Sequence, residues 1–143
     1  MNTLAANRLR DHDVSLTPQR QMIYAHLLGR YDHPNAEMVY QSLKPENPHL
    51  SKMTVYNVLS ALVEHHLVER IHIENDEMRY DADMSFHAHF RCRKCEKISN
   101  VFPEARHLQS YMKLPAGYSV EDEQLVYYGV CAECNAKVPE TEE

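Results

Sequence analysis

The sequence is poor in glycine and lacks tryptophan: three glycines and no tryptophan occur among its 143 residues. It contains neither G-x-x-x-x-G-K-[ST] nor G-x-G-x-x-G, the glycine-rich loops that hold phosphates in nucleotide-binding proteins. No stretch approaches the roughly 18–20 apolar residues of a membrane-spanning helix. The N-terminal segment also lacks the basic and apolar parts of a signal peptide. A nucleotide-driven enzyme is therefore disfavoured, and we expect a cytoplasmic protein without a membrane partner.

The composition is that of a folded domain, with 43% hydrophobic and 25% charged residues. The formal net charge of −6 argues against nucleic acid, but the charge is unevenly distributed. Residues 1–60 carry six basic and five acidic side chains, a net +1, whereas the remainder carries nine basic and sixteen acidic, a net −7. This difference fits either a DNA-binding first half or ordinary variation around neutrality, so charge alone does not decide.

Helix signals dominate the first half of the chain. After a weak helical segment near the N-terminus, Thr17 before Pro18 predicts the start of a second helix. Asn35 and Ser51 precede a third and a fourth helix, each with apolar residues at three- and four-residue steps. Two segments in which apolar and polar residues alternate then flank the polar run 74–77. This pattern predicts a β-hairpin. Helices followed by a two-stranded hairpin are typical of a winged helix-turn-helix.

The second half changes to short strands, which we predict near 86–91, 97–102 and 125–130, with a short helix around 104–113. The sequence therefore predicts an α+β protein with an N-terminal winged helix-turn-helix domain and a small α/β domain. The boundaries that we assign are 1–82 for the first domain, a hinge at about 81–85, 86–137 for the second domain and 138–143 for an acidic tail.

All four cysteines occur in two C-x-x-C motifs, Cys92–Cys95 and Cys131–Cys134. Two such turns can place four thiolates around one tetrahedral Zn²⁺, and with no ligand position left open the site would be structural. Two disulfides, an iron–sulfur cluster or a redox pair are the alternatives. We expect structural zinc.

Four further side chains suggest a second metal site. His87 and His89 are two residues apart on a predicted strand, so both imidazoles lie on one face. Asp81 precedes them at the exit of the hairpin, and His33 lies in the loop before the third helix. Nitrogen and oxygen donors of this kind suit Fe²⁺, Mn²⁺ or Zn²⁺. Each residue taken alone is more typical of an ordinary surface position.

The fourth helix offers a polar face for DNA. Opposite its apolar stripe it presents Lys52, Thr54, Tyr56 and Asn57. Asn57 can form hydrogen bonds with a base edge, and Tyr56 can pack on a thymine methyl or a sugar. Lys52 and Arg20 are candidates for phosphate contacts. The sequence disfavours two other classes of function. An oxygen-activating enzyme with a facial triad lacks an evident substrate pocket in so short a chain, so we expect no enzyme, and a metal-storage protein would need no recognition helix.

The motifs, in this order, resemble those of the ferric-uptake-regulator family over roughly residues 10–135. The matching segments are residues 16–20, 33–36, 51–59, 79–81, 87–89, the two C-x-x-C pairs and 128–131. The resemblance implies a homodimeric, metal-dependent transcriptional repressor that binds a palindromic operator in double-stranded DNA. It also implies that the second domain, 86–137, is the dimerisation and metal-binding domain.

Within that family the sequence is most similar to peroxide-sensing members, in which an aspartate occupies the position of Asp81. In those members the regulatory ion, Fe²⁺ or Mn²⁺, is bound at positions that correspond to His33, Asp81, His87 and His89, with a further aspartate where this chain has Asn100. A neutral amide is a poorer donor to a hard cation than a carboxylate. The resemblance also implies that peroxide oxidises His33 or His87. An iron-responsive repressor is the alternative.

Overall fold

The computed structural model describes residues 3–104 and 112–137, and the chain divides into two compact units, Met1–Ser85 and Phe86–Glu143. The first unit begins with helices and ends in an antiparallel hairpin. Its elements are α1 (Thr3–Asp11), α2 (Pro18–Leu28), α3 (Ala36–Leu43), α4 (Lys52–Glu64), β1 (Glu69–Ile73) and β2 (Glu77–Asp81). This is the helix–hairpin order that the sequence predicted for a winged helix-turn-helix.

Side-chain caps fix the starts of three helices. The hydroxyl of Thr17 accepts a bond from the backbone N–H of Arg20, and Pro18 occupies the first turn of α2. The side chains of Asn35 and Ser51 accept equivalent bonds at the starts of α3 and α4. The three predicted helix starts are therefore confirmed.

The core of the first unit lies between the helices and the hairpin. The inward stripe of α4 is fully buried and packs with residues of the other helices and the segment before β1. The largest buried side chains of this core include Leu9, Ile23, Tyr24, Leu27, Leu59 and Leu62. The hairpin turns through Glu74–Asp76, where Asn75 and Asp76 adopt positive φ angles of 65° and 60°. Asparagine and aspartate tolerate this left-handed backbone better than most residues, which explains their place in the turn.

The second unit is built on a three-stranded sheet of order β4-β3-β5. Its strands are β3 (Ala88–Cys92), β4 (Ile98–Val101) and β5 (Val126–Gly129), and the helix α5 (Ala132–Ala136) follows. β3 pairs antiparallel with β4 and parallel with β5. Because parallel strands point the same way, the carboxyl ends of β3 and β5 meet at one edge of the sheet.

The α+β class and the three predicted strands of the second unit are confirmed, whereas α5 was not predicted from sequence. Most of the predicted helix around 104–113, namely residues 105–111, and the predicted tail, 138–143, lie outside the described residues. Within the described ranges, no helix has the length and apolar character needed to cross a membrane.

Candidate metal centres and nucleic-acid interface

The four cysteines form one cluster at the carboxyl edge of the second sheet. Cys92 ends β3 opposite Gly129 of β5, and this parallel pairing brings the two C-x-x-C motifs together. All four Sγ atoms lie within 4.8 Å of one another. The Sγ atoms of Cys95 and Cys131 are 3.7 Å apart, close to the edge of roughly 3.8 Å of a tetrahedron with sulfurs about 2.3 Å from a central zinc. The cluster therefore has the dimensions of a zinc site.

The cysteines are free thiols, which argues against the disulfide alternative. The backbone N–H groups of Cys95 and Cys131 each donate to the sulfur of Cys92 at 3.4 Å. These donors favour the thiolate and lower the pKa of Cys92 to about 6. The adjacent sulfur of Cys131, with those of Cys95 and Cys92, raises the pKa of Cys134 to about 12. Four thiolates this close to one another repel, so a cation is needed to hold all four together.

His87 and His89 present their imidazoles to one point at the start of β3. Both are buried, and their Nε2 atoms are 3.1 Å apart. Two nitrogens bound at right angles to one ion at about 2.1–2.2 Å would be separated by roughly 3.0–3.1 Å. His87 also packs against Phe102 with a ring-centroid distance of 5.4 Å. Asn100 of β4 lies directly opposite His89 in the register, on the same face of the sheet.

His33 and Asp81 form a second buried pair, inside the first unit. The Nε2 atom of His33 lies 3.2 Å from a carboxylate oxygen of Asp81. The backbone holds this arrangement: Tyr80 donates its N–H to the Pro34 carbonyl at 2.9 Å, and Arg79 donates to the His33 carbonyl at 3.0 Å. His33 has a left-handed φ of 53°, a conformation that costs a non-glycine residue on the order of 1 kcal/mol or more. The surrounding contacts therefore fix the position of this imidazole at some cost in backbone strain.

Glu69 is a possible ligand that the sequence analysis missed. It is the first residue of β1 and lies directly opposite Asp81 in the hairpin. Residues directly opposite one another in an antiparallel pair share a face. Counting outward from the turn at 74–76 pairs the two carboxylates, but they are far apart in the chain and belong to no shared sequence motif.

The polar face of α4 is exposed where the sequence predicted it. Tyr56 and Asn57 are exposed, with half of the Tyr56 surface accessible. The hydroxyl of Thr54 lies 2.8 Å from that of Ser51, so Thr54 belongs to the helix cap. Lys52 is exposed at the start of the helix, while Arg20, half-buried on α2, donates to the Ser15 carbonyl at 3.4 Å. Lys52, Tyr56 and Asn57 therefore form one accessible surface of α4, and Arg20 belongs to another helix.

Comparison with known proteins shows the family to which the chain belongs. The sequence pattern of the Ferric uptake regulator family matches residues 11–128. This chain belongs to the Ferric uptake regulator family. The peroxide-responsive repressor PerR of Staphylococcus aureus is 32% identical over 130 residues, which cover 90% of this chain and 88% of that protein. Ferric uptake regulator proteins are metal-responsive transcriptional regulators that act on DNA as dimers, so the enzyme and storage alternatives are set aside.

Two solved structures of relatives illustrate the similarity. The crystal structure of the Campylobacter jejuni peroxide stress regulator is 31% identical, with a TM-score of 0.69, and covers 94% of this chain and 100% of its own. The Ferric uptake regulator from Pseudomonas aeruginosa with manganese gives a TM-score of 0.73 over 91% of this chain and 99% of its own. The latter is 24% identical and supports the fold alone.

Proposed function

We propose that this protein is a metal-dependent transcriptional repressor that binds a palindromic operator as a homodimer and senses peroxide through iron-catalysed oxidation of a histidine. In this proposal the four cysteines bind a structural Zn²⁺. The regulatory ion, Fe²⁺ or Mn²⁺, is bound by His33 and Asp81 of the first unit and by His87 and His89 of the second, with Asn100 as a weaker fifth donor.

The main support for the regulatory site is the distance between the two ligand atoms in each of two buried pairs. The separations of 3.2 Å between His33 and Asp81 and of 3.1 Å between His87 and His89 both suit adjacent ligands of one octahedral ion. A set of imidazole nitrogens and a carboxylate oxygen also fits the preferences of Fe²⁺ and Mn²⁺. An ion that takes donors from both units favours the arrangement in which all of them bind, so it couples metal binding to DNA binding.

Peroxide sensing is supported by two relatives, at 32% and 31% identity, that are peroxide regulators. Bound Fe²⁺ would supply the redox chemistry that activates peroxide beside an imidazole. In the net reaction, one oxygen atom of hydrogen peroxide is added to a ring carbon of His33 or His87 and the other leaves as water. The oxidised ring carries a carbonyl and is a poor metal ligand, so the protein loses the regulatory ion and releases its operator.

DNA recognition is proposed for the exposed face of α4. In a winged helix-turn-helix the recognition helix enters the major groove, and in a dimer two such helices face two half-sites. Asn57 and Tyr56 would contact bases there, Lys52 and Arg20 would contact phosphates, and Thr54 would shape the start of the helix. The exposure of Tyr56 and Asn57 beside the fully buried Val55 is the supporting observation.

Mass spectrometry combined with a DNA-binding assay tests the sensor function. The Fe²⁺-loaded protein exposed to low peroxide is expected to gain the mass of one oxygen atom on a peptide containing His33 or His87 and to release its operator. The Mn²⁺-loaded protein should stay unmodified and bound, because Mn²⁺ does not readily reduce peroxide. Asp81→Glu should keep metal-dependent DNA binding and slow the oxidation.

An iron-responsive repressor is the second candidate, favoured by Asn100, which departs from the aspartate expected of peroxide-sensing relatives. The same donors would then bind Fe²⁺ reversibly and report its concentration. Fe²⁺ protein that stays unmodified and bound to DNA at peroxide concentrations well above its own would favour this function over peroxide sensing.

A further inference from the structure

Two carboxylates face each other across the open end of the hairpin in the first unit. Glu69 begins β1 and Asp81 ends β2, and the register pairs them directly. Side chains so paired have Cβ atoms about 4.5–5.5 Å apart, and like charges in this position destabilise a hairpin. Asp81 is buried and Glu69 is half-buried, so solvent screens their repulsion poorly. A cation between them would convert the repulsion into a favourable interaction.

The arginines of the hairpin are directed elsewhere. The guanidinium of Arg70 lies over the ring of Tyr80 at 5.9 Å and donates to the Ser60 hydroxyl at 3.4 Å. Arg79 shares the face of Asp81, but its guanidinium binds the Glu77 carboxylate and the His33 carbonyl. Neither arginine is therefore the counter-ion of the Glu69–Asp81 pair.

The imidazole of His33 marks the same place as a metal site. It lies 3.2 Å from Asp81, so an ion bound by His33 and Asp81 would be close to the strand position opposite Asp81. Glutamate has one more methylene than aspartate and can extend a carboxylate toward an ion held beside its cross-strand neighbour. The first unit thus offers an imidazole and two carboxylates, the donor types that Fe²⁺ and Mn²⁺ accept.

A second carboxylate would complete the neutralisation of a divalent ion at the proposed site. His33, Asp81, His87, His89 and Asn100 supply one negative charge to a divalent ion, because Asn100 is a neutral amide. Hard cations bind more tightly as the number of charged oxygen ligands rises. We propose that Glu69 is a ligand of the regulatory ion and supplies the carboxylate that Asn100 does not. This inference rests on the regulatory site of the proposed function.

Titration of the full-length zinc-loaded protein with Mn²⁺, followed by electron paramagnetic resonance of the unbound ion, tests this assignment. Glu69→Gln is expected to lower Mn²⁺ affinity roughly tenfold or more, the scale on which supporting groups alter metal affinity. Glu74→Gln, which removes an exposed carboxylate from the tip of the same hairpin, is the matched control and should bind as the parent does. Adding Asn100→Asp to Glu69→Gln should restore much of the lost affinity.

Thermal unfolding separates this role from a structural one. Mn²⁺ should raise the unfolding temperature of Glu69→Gln by less than it raises that of the parent, whatever the two unfolding temperatures are without the ion. If Glu69→Gln binds Mn²⁺ as tightly as the parent while Asp81→Asn no longer binds it, Glu69 is not a ligand but the regulatory site stands. Parental affinity in both variants would instead refute the site itself.

Discussion

The Nζ atom of Lys52, the first residue of α4, lies 3.1 Å from a carboxylate oxygen of Glu37, the second residue of α3. The same ammonium lies 5.5 Å from the centre of the Tyr40 ring. The cation expected to meet a DNA phosphate is therefore already paired with an acid of the preceding helix. Gln41 and Lys52 both lower the pKa of Glu37, so the acid is charged at neutral pH. Glu37 would therefore compete with a DNA phosphate for Lys52.

Glu37→Gln is expected to tighten binding to every DNA sequence and to steepen the salt dependence of binding. Releasing one lysine for one phosphate changes the slope of log K against log salt by up to about 1. Glu46→Gln makes the same change in net charge at an exposed site and is the control. Binding measured by fluorescence anisotropy over a range of salt should separate the two variants. Equal effects would mean that overall charge, and not the Lys52 pair, sets the affinity.

Asn57→Ala is expected to weaken binding to the operator by about 1–3 kcal/mol and to reduce discrimination against altered operators. The side chain is exposed on α4 and supports no core contact, so folding should be unaffected. Lys52→Ala is the contrasting variant, because loss of a phosphate contact weakens all sequences alike. Competition gel shifts with operator and scrambled DNA measure both effects. An Asn57→Ala protein with parental discrimination would exclude Asn57 from base reading.

The fourth helix shows which parts of this surface the sequence could predict. Ser51 as the cap and the buried stripe of α4 follow from local spacing, and both were predicted. The ion pair of Lys52 with Glu37 joins two different helices, so its existence depends on how α3 packs against α4. Sequence periodicity places a side chain on a face but does not identify the neighbour that it meets there.

Cys95→Ser is expected to abolish zinc binding, to destabilise the second unit and to impair dimerisation. Three thiolates and a hydroxyl are a much poorer tetrahedral donor set, and structural zinc contributes directly to folding. Lys94→Ala alters the exposed neighbour in the same turn and serves as the control. Metal analysis and analytical ultracentrifugation provide the measurements. A stable zinc-free dimer of Cys95→Ser would contradict the structural role of the cluster.

His26 should make the stability of the first unit sensitive to pH. Burial, followed by the nearby Arg30, lowers the pKa of His26 below its usual 6.5. The unfolded chain therefore binds a proton at this residue more readily than the folded protein. As pH falls below about 6.5, the free energy of unfolding decreases until folded His26 is itself protonated.

His26→Gln should reduce the loss of stability between pH values of about 7.5 and 5.5. His49→Gln, at an exposed position, controls for the removal of a histidine. Urea unfolding of the three proteins at both pH values measures the difference. An identical pH dependence in the parent and His26→Gln would show that other groups dominate.

In the candidate metal centres, too, the sequence predicted some features and missed others. The cysteine motifs and the two-residue spacing of His87 and His89 are local patterns, and the structure brings each set together within the second unit. Glu69 was missed because its position opposite Asp81 depends on strand register, and therefore on where the hairpin turns. The short helix α5 was missed because its five residues carry almost no periodic signal, and its place after Cys131 is set by tertiary structure.

The parallel pairing of β3 with β5 has a consequence for how the protein matures on the ribosome. β4 can pair with β3 as soon as it has left the exit tunnel, but β5 and both members of the second cysteine motif are made later. A nascent chain shorter than Cys134 has an incomplete set of thiolates, and a truncated product could not close the cluster around a metal. Zinc retention would thus distinguish finished chains from interrupted ones before either reached a promoter.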